Sequence, residues 1–210
     1  MIRLTGYRYS IYTRIARLAL IEKGVAHELA EADPFADPPP ADLLALNPFG
    51  RVPVLEHDGF VLYETAAILR YVDAGFPGPA LVPVDPRAAA RMTQVIGIAD
   101  AHAYWPLVRQ VYAQLVFRPF EGLEPDAAEV AAGLAAAGPV LDALEAIAAE
   151  GLQLAGGPLS LADLHLAPMI AAFASAPEGA ALLAARPALA RWWHMMARRG
   201  SMAATTRTGR

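Results

Sequence analysis

Residues 74–86, AGFPGPALVPVDP, divide the chain into two stretches of different periodicity. Prolines and glycines there interrupt helical and strand patterns alike. Before the break, short β-like runs alternate with helical ones. Beyond it the pattern is helical almost throughout, without a hairpin signal. This restricts the chain to an α/β unit followed by an all-α unit. The predicted organisation is residues 1–76, a linker at 77–86 and a helical region at 87–210.

In the first stretch, IRLTGY reads as a strand. Residues 11–23 place Ile11, Ile15 and Leu18 at helical spacing, and Gly24 stands where a helix would stop. AHELAEA supplies a second strand, so a βαβ unit with a parallel pair is expected. Residues 33–50 are rich in proline and aspartate and read as loop, with one helical turn at 41–46. VPVLEH and FVLY flank Asp58-Gly59, a tight-turn pair, and form a hairpin. From Thr65 the pattern is helical again. In the second stretch, 87–118 reads as one or two long helices that Pro106 bends or ends. Further helices are expected at 126–150, 160–174 and 186–199.

Composition narrows the function classes. Hydrophobic residues make up 56% and charged ones 18%, enough for a substantial core. No uninterrupted apolar run suggests a membrane span, and the N-terminus lacks a signal-peptide pattern, so a cytoplasmic protein is expected. The net charge of −4 offers no basic face for nucleic acid. The basic C-terminal residues, MMARRGSMAATTRTGR, read as a solvated, frayed tail. Cysteine is absent, which excludes a thiol nucleophile of the chain's own. No His/Asp/Glu group has convincing metal spacing, so no metal is expected.

Three short motifs carry candidate chemistry, and each also has a plain structural reading. Ser10, between the first strand and helix, suits an N-cap; the same position lets a hydroxyl donate to an anion at the helix's positive end. Tyr7, Tyr9 and Tyr12 are nearby hydroxyls; strand alternation sets Tyr7 and Tyr9 apart from neighbours on the opposite face, so not all can serve one site. In GRVPV, the Val52–Pro53 bond can be cis at small cost, exposing the Val52 backbone to an extended ligand; otherwise it is a rigid loop end. In YETAAI, Thr65 is read as an N-cap whose free N–H groups accept a carboxylate, with Glu64 outside it to hold an ammonium. The bland alternative is an ordinary cap beside a solvated acid. Ser160 and Asp163 read as a capping box, a folding element rather than chemistry. His102, Tyr104, Trp105 and Tyr112 read first as helix core.

Taken in order, Ser10, NPFGRVPVL, the Asp-Gly hairpin, YETAAILRYV, the proline-rich linker and LSLADLHLAP resemble the glutathione transferase superfamily, as a serine-type, bacterial-like member. The resemblance spans nearly the whole chain. It implies a thioredoxin-like N-terminal domain, a helical-bundle C-terminal domain and a homodimer. It also implies glutathione as co-substrate, attacking a small hydrophobic electrophile, with detoxification as the setting.

By matched position, Ser10 is the catalytic serine, with Arg14 keeping the Ser-x-x-x-Arg spacing; Tyr7 and Tyr12 are the alternatives. Val52 before Pro53 meets the cysteinyl backbone of glutathione. Glu64 and Thr65 hold its γ-glutamyl head group, and Arg51 is a further contact. Trp105 and Tyr112 are candidates for the electrophile pocket. One departure stands out. Residues 31–50, where the family often places cations for the glycine carboxylate, contain no Lys, Arg or His. A non-catalytic binding module, or a glutathione-dependent isomerase or peroxidase, therefore stays open beside the transferase.

Overall fold

IRLTG forms strand β1 (Ile2–Gly6), and a turn then leads into helix α1 (Ile11–Glu22). α1 buries Ile15, Leu18 and Ala19 on one stripe, as its helical spacing predicts. Gly24 ends it at φ 68°, donating its N–H to the Ile21 carbonyl. Strand β2 (Glu28–Glu31) returns parallel to β1. Helix α2 (Ala41–Leu46) is the single turn expected in the proline-rich loop. Strands β3 (Val54–His57) and β4 (Phe60–Tyr63) form the hairpin, with Asp58 at φ 49° and Gly59 at φ 85° in its turn. The sheet order is β2-β1-β3-β4, with β3 antiparallel to both neighbours. Helix α3 (Thr65–Gly75) packs against α1.

The computed structural model describes residues 1–206. Their contacts form two compact units, residues 81–199 and a first unit of residues 1–80 joined by the segment from Gly200 onward. Here the structure departs from the expected division. Helix α10 (Gly200–Ala204) belongs with the sheet unit and packs on α1. Ser201, Met202 and Thr205 are buried, so this part of the basic C-terminal stretch is docked rather than frayed. Met202 is 3% exposed, and Arg14 of α1 donates to its carbonyl. The last four residues of that stretch, 207–210, lie outside the described residues.

A buried lysine ties the first unit together. Lys23, at the C-cap of α1, donates through Nζ to the Asp73 carboxylate (3.3 Å), the Asp73 carbonyl (3.1 Å) and the Pro79 carbonyl (3.0 Å). Its side chain is 3% exposed, so each ammonium hydrogen must have an acceptor, and three are supplied.

The second unit is helical, as expected. α4 (Pro86–Ile98) is capped by Asp85 and runs into α5 (Ala99–Phe117), with a one-turn continuation at Arg118–Phe120. Pro106 does not end the run; it is buried inside α5, whose turns are wide, of the i→i+5 type. α6 (Ala127–Glu150), α7 (Leu161–Phe173), α8 (Pro177–Ala184) and α9 (Pro187–Ala197) complete the unit. By length and composition α6 is apolar enough to cross a membrane, although scattered polar residues interrupt its apolar sequence. Its Leu141, Leu144 and Ile147 are buried, and it packs against α5 and α9.

Ser160 and Asp163 form the predicted capping box, extended by partners no short motif shows. Asp163 Oδ2 accepts the Ser160 N–H at 2.7 Å, and Oδ1 accepts the Trp192 indole N–H at 2.7 Å. Ser160 Oγ lies 2.6 Å from Gln153 Oε1 and 2.9 Å from Asp163 Oδ2. Both acceptors face the single Ser160 hydroxyl hydrogen. Burial pushes the Asp163 carboxyl above the ordinary range, against the lowering effect of these hydrogen bonds and of Arg199.

Candidate functional site

Strand register brings the sequence motifs of the first unit to one end of the sheet. Thr5 pairs with Val54, and Val54 with Tyr63. The residues just beyond these positions are the β1–α1 turn with Ser10, Val52–Pro53 before β3, and Glu64–Thr65 after β4. Neighbouring strands lie about 4.8 Å apart, so three strand ends span roughly 10 Å. An extended tripeptide has about that length at ~3.3 Å per residue.

Ser10 caps α1 as the helix reading predicts. Its Oγ accepts the Thr13 N–H at 3.2 Å, and its own N–H donates to the Tyr7 carbonyl at 2.8 Å. The cap uses a lone pair of the half-buried hydroxyl and leaves the hydroxyl hydrogen for a further acceptor. Gly6 makes this turn possible. A Cβ there would clash with Thr13 Cγ2, and Thr13 Oγ1 accepts the Tyr7 N–H at 3.1 Å.

Tyr7 and Tyr9 lie together, in the turn after β1 rather than on the strand. β1 ends at Gly6, so strand alternation does not govern residues 7–9. The rings of Tyr7 and Tyr9 pack edge to face at 5.3 Å, and Phe35 meets Tyr7 at 6.0 Å. Burial pushes the Tyr7 phenol above its ordinary value, and the charge of Asp33 adds to the shift. Tyr7 is thereby held as a neutral phenol and made a weaker acid. Tyr12 is half-buried in the first turn of α1.

The Val52–Pro53 bond is cis, and Pro53 is buried. Neither backbone group of half-buried Val52 has a hydrogen-bond partner among the described residues. The loop before it is shaped by Asn47, which the motif reading passed over. Asn47 is 2% exposed; its Oδ1 accepts the Phe49 N–H at 3.0 Å and its Nδ2 donates to the Arg51 carbonyl at 2.9 Å. The signal was present, since Asn-Pro-x-Gly is a turn sequence in which the Asn side chain bonds the backbone two residues on. Arg51 is exposed, and its guanidinium has no partner among the described residues.

The entry to α3 corrects a second expectation. Thr65 is the first helical residue and not the N-cap; that position belongs to Glu64, which makes no side-chain capping bond. Glu64 sits at φ 69°, ψ 113°, a conformation costly for a residue with a Cβ. The chain must reverse from β4 into α3 within one residue, and Glu64 takes the strain. Its carboxylate is exposed beside the helix N-terminus. Thr65 is 7% exposed, yet its hydroxyl has no hydrogen-bond partner among the described residues.

The fourth strand end is acidic, as the sequence indicates. Beside Gly6, Glu31 accepts the Arg8 N–H at 3.1 Å and lies 3.7 Å from the Arg8 guanidinium. Arg8, the cation closest in sequence to Ser10, also lies over the Tyr9 ring at 5.3 Å and is thus already engaged. In the second unit, Trp105 and Tyr112 lie on α5. Trp105 is 60% exposed rather than core, and Tyr112 is half-buried.

These features agree with the comparisons. Residues 4–80 match the family model for the glutathione S-transferase N-terminal domain, and residues 93–200 that for its C-terminal domain. Glutathione S-transferase 3 of Zea mays is 33% identical over 203 residues, covering 95% of this chain and 91% of that protein. The apo structure of glutathione S-transferase III superposes with a TM-score of 0.85 at 33% identity, covering 97% of this chain and 94% of the other. The theta class glutathione S-transferase of Xanthomonas axonopodis pv. citri, solved with glutathione bound, gives 0.82 at 29%, covering 99% and 98%. With both domain models matched in order and relatives aligned end to end, the chain belongs to the glutathione S-transferase family.

Proposed function

We propose that the protein is a glutathione transferase in which Ser10 donates a hydrogen bond to the glutathione thiolate. The observation that carries this reading is the convergence of Ser10, the unpartnered Val52 amide and the Glu64–Thr65 pair on one sheet end. Val52 pairs with the cysteinyl backbone as an added strand does. Glu64 takes the α-ammonium, while Thr65 and the first N–H groups of α3 take the α-carboxylate. Arg51 takes the glycine carboxylate.

The chemistry needs the thiolate, and a free thiol with a pKa near 8.5 supplies only a few per cent of it at neutral pH. Lowering that pKa by about two units requires roughly 2.7 kcal/mol of preferential stabilisation. A charge-assisted hydrogen bond from Ser10 supplies about 1.5–3 kcal/mol, and the N-terminus of α1 about 0.3–1. The thiol proton leaves to solvent. The sulfur then forms a bond to the electrophilic carbon, and the leaving group departs with the electron pair. The electrophile is small and hydrophobic, with Trp105 and Tyr112 of α5 as candidate pocket residues. Working as a homodimer in the cytoplasm completes the proposal.

Replacing Ser10 by Ala is the test. The bound thiol pKa, followed by thiolate absorbance, should rise by one to two units on the figures above, and conjugation of a chloronitrobenzene should fall at least tenfold. An unchanged pKa and turnover refute the serine assignment.

A second reading, a binding module without turnover, is favoured by the acidic fourth strand end and the engagement of Arg8 by Glu31. Retention on immobilised glutathione without conjugation would select it.

A further inference from the structure

The first turn of α1 is joined to the C-terminal segment through one side chain. Arg14 Nε donates to Thr205 Oγ1 at 3.2 Å, and its Nη2 donates to the Met202 carbonyl at 3.2 Å and to Thr206 Oγ1 at 3.5 Å. These acceptors are oriented. The Thr205 hydroxyl donates to the Ser201 carbonyl at 2.9 Å, and that of Thr206 to the Met202 carbonyl at 2.8 Å. At the other end of α1, the Ser201 hydroxyl donates to the Glu22 carboxylate. The backbone N–H of Arg14 meanwhile donates to the Ser10 carbonyl at 3.1 Å, closing the turn that Ser10 caps. A single residue is therefore fixed to the cap through its backbone and to α10 through its planar fork.

We propose that α10 braces the thiol-activating end of α1, with Arg14 as the positioning residue that couples the C-terminal segment to Ser10. The inference rests on the reading of Ser10 as donor to the glutathione sulfur. A donor aimed at a thiolate must be held to a few tenths of an ångström, and a serine at a helix terminus is otherwise free to fray. Nearly two hundred residues separate Arg14 from its α10 partners in sequence, so the brace forms only when both ends of the chain have folded together.

The test uses the full chain and five variants: R14Q, R14K, T205V/T206V, the combination of R14Q with T205V/T206V, and S10A. R14Q should lower kcat about tenfold, with KM for glutathione within about twofold, and raise the bound thiol pKa by about half to one unit. T205V/T206V leaves the Arg14 charge and its bond to the Met202 carbonyl in place and removes the two hydroxyl acceptors just beyond α10. It should move kcat and thiol pKa in the same direction by about threefold and a few tenths of a unit. The combination should be no worse than R14Q alone, because the residues act through one contact. R14K should recover only part of the loss, since an ammonium cannot reproduce the fork.

An unchanged kcat and thiol pKa in T205V/T206V overturns the brace, even where R14Q is impaired, because the threonine hydroxyls that hold the fork would then carry no coupling. Multiplicative losses in the combined variant overturn it as well. If R14Q does not fold, T205V/T206V decides the question by itself. S10A separates the two readings. If it leaves the thiol pKa unchanged, the Ser10 reading and the brace fall together. If S10A shifts the pKa and T205V/T206V does not, the brace alone is refuted.

Discussion

On the proposed reading Glu64 trades stability for binding, and two substitutions separate the two effects. At φ 69° and ψ 113° a residue with a Cβ is strained by about 1–3 kcal/mol. Glu64→Ala keeps the strain and loses the carboxylate. Glu64→Gly loses both, but glycine gives up about 0.5–1 kcal/mol more backbone entropy on folding than alanine. The glycine variant should therefore be more stable than the alanine variant by about 0.5–2 kcal/mol. Both should bind glutathione about tenfold more weakly, taking the low end of a charge-assisted hydrogen bond because Glu64 is exposed. Denaturant titration measures the first difference and calorimetric titration with glutathione the second. A glycine variant no more stable than the alanine one refutes the strain argument. Unchanged affinity in both refutes the head-group role.

Two further outcomes follow from buried polar groups outside the site. Lys23→Met leaves the Asp73 carboxylate and two carbonyls without their donor in a largely buried setting, and should cost about 3–5 kcal/mol in denaturant titration. A loss below about 1 kcal/mol would show that water replaces the ammonium. Asp163 makes stability depend on pH. Its carboxyl in the folded chain titrates above the ordinary value near 4, so the folded state holds a proton the unfolded state releases. Its contribution is full below about pH 4 and declines as pH rises through the folded value. The difference in stability between the parent chain and Asp163→Asn should shrink over that range. A difference that grows with pH would mean the carboxylate, not the acid, is the buried form.

Local pattern was sufficient for most of the architecture. Helical spacing in 11–23, the parallel pair β1–β2, the Asp-Gly hairpin and the helical second half all rest on periodicities and turn residues a few positions apart. The errors arose where longer-range packing overrides local preference. Thr65 looks like a cap because threonine favours caps, but the strand-to-helix reversal needs a residue at positive φ one position earlier. Tyr7 looks like the end of a strand, but the strand stops at Gly6 and the chain turns toward α1. Pro106 looks like a stop, yet wide helical turns absorb it within a packed unit. The C-terminal stretch looks frayed because its charges are local while its partners, Arg14 and Glu22, are not.

The same division holds for the site. Residue types, their order and the family resemblance name Ser10, Val52–Pro53 and Glu64–Thr65 as candidates, since each lies in a motif only a few residues long. Their convergence depends on β1, β3 and β4 pairing in one register, a hydrogen-bonded fact no single segment contains. The engagement of Arg8 by Glu31, the strain at Glu64 and the clasp of Arg14 on α10 were likewise decided by tertiary structure. They join residues from separate elements, and in the last case nearly two hundred positions apart. Sequence fixes which groups are available; the fold decides which acceptor each donor meets.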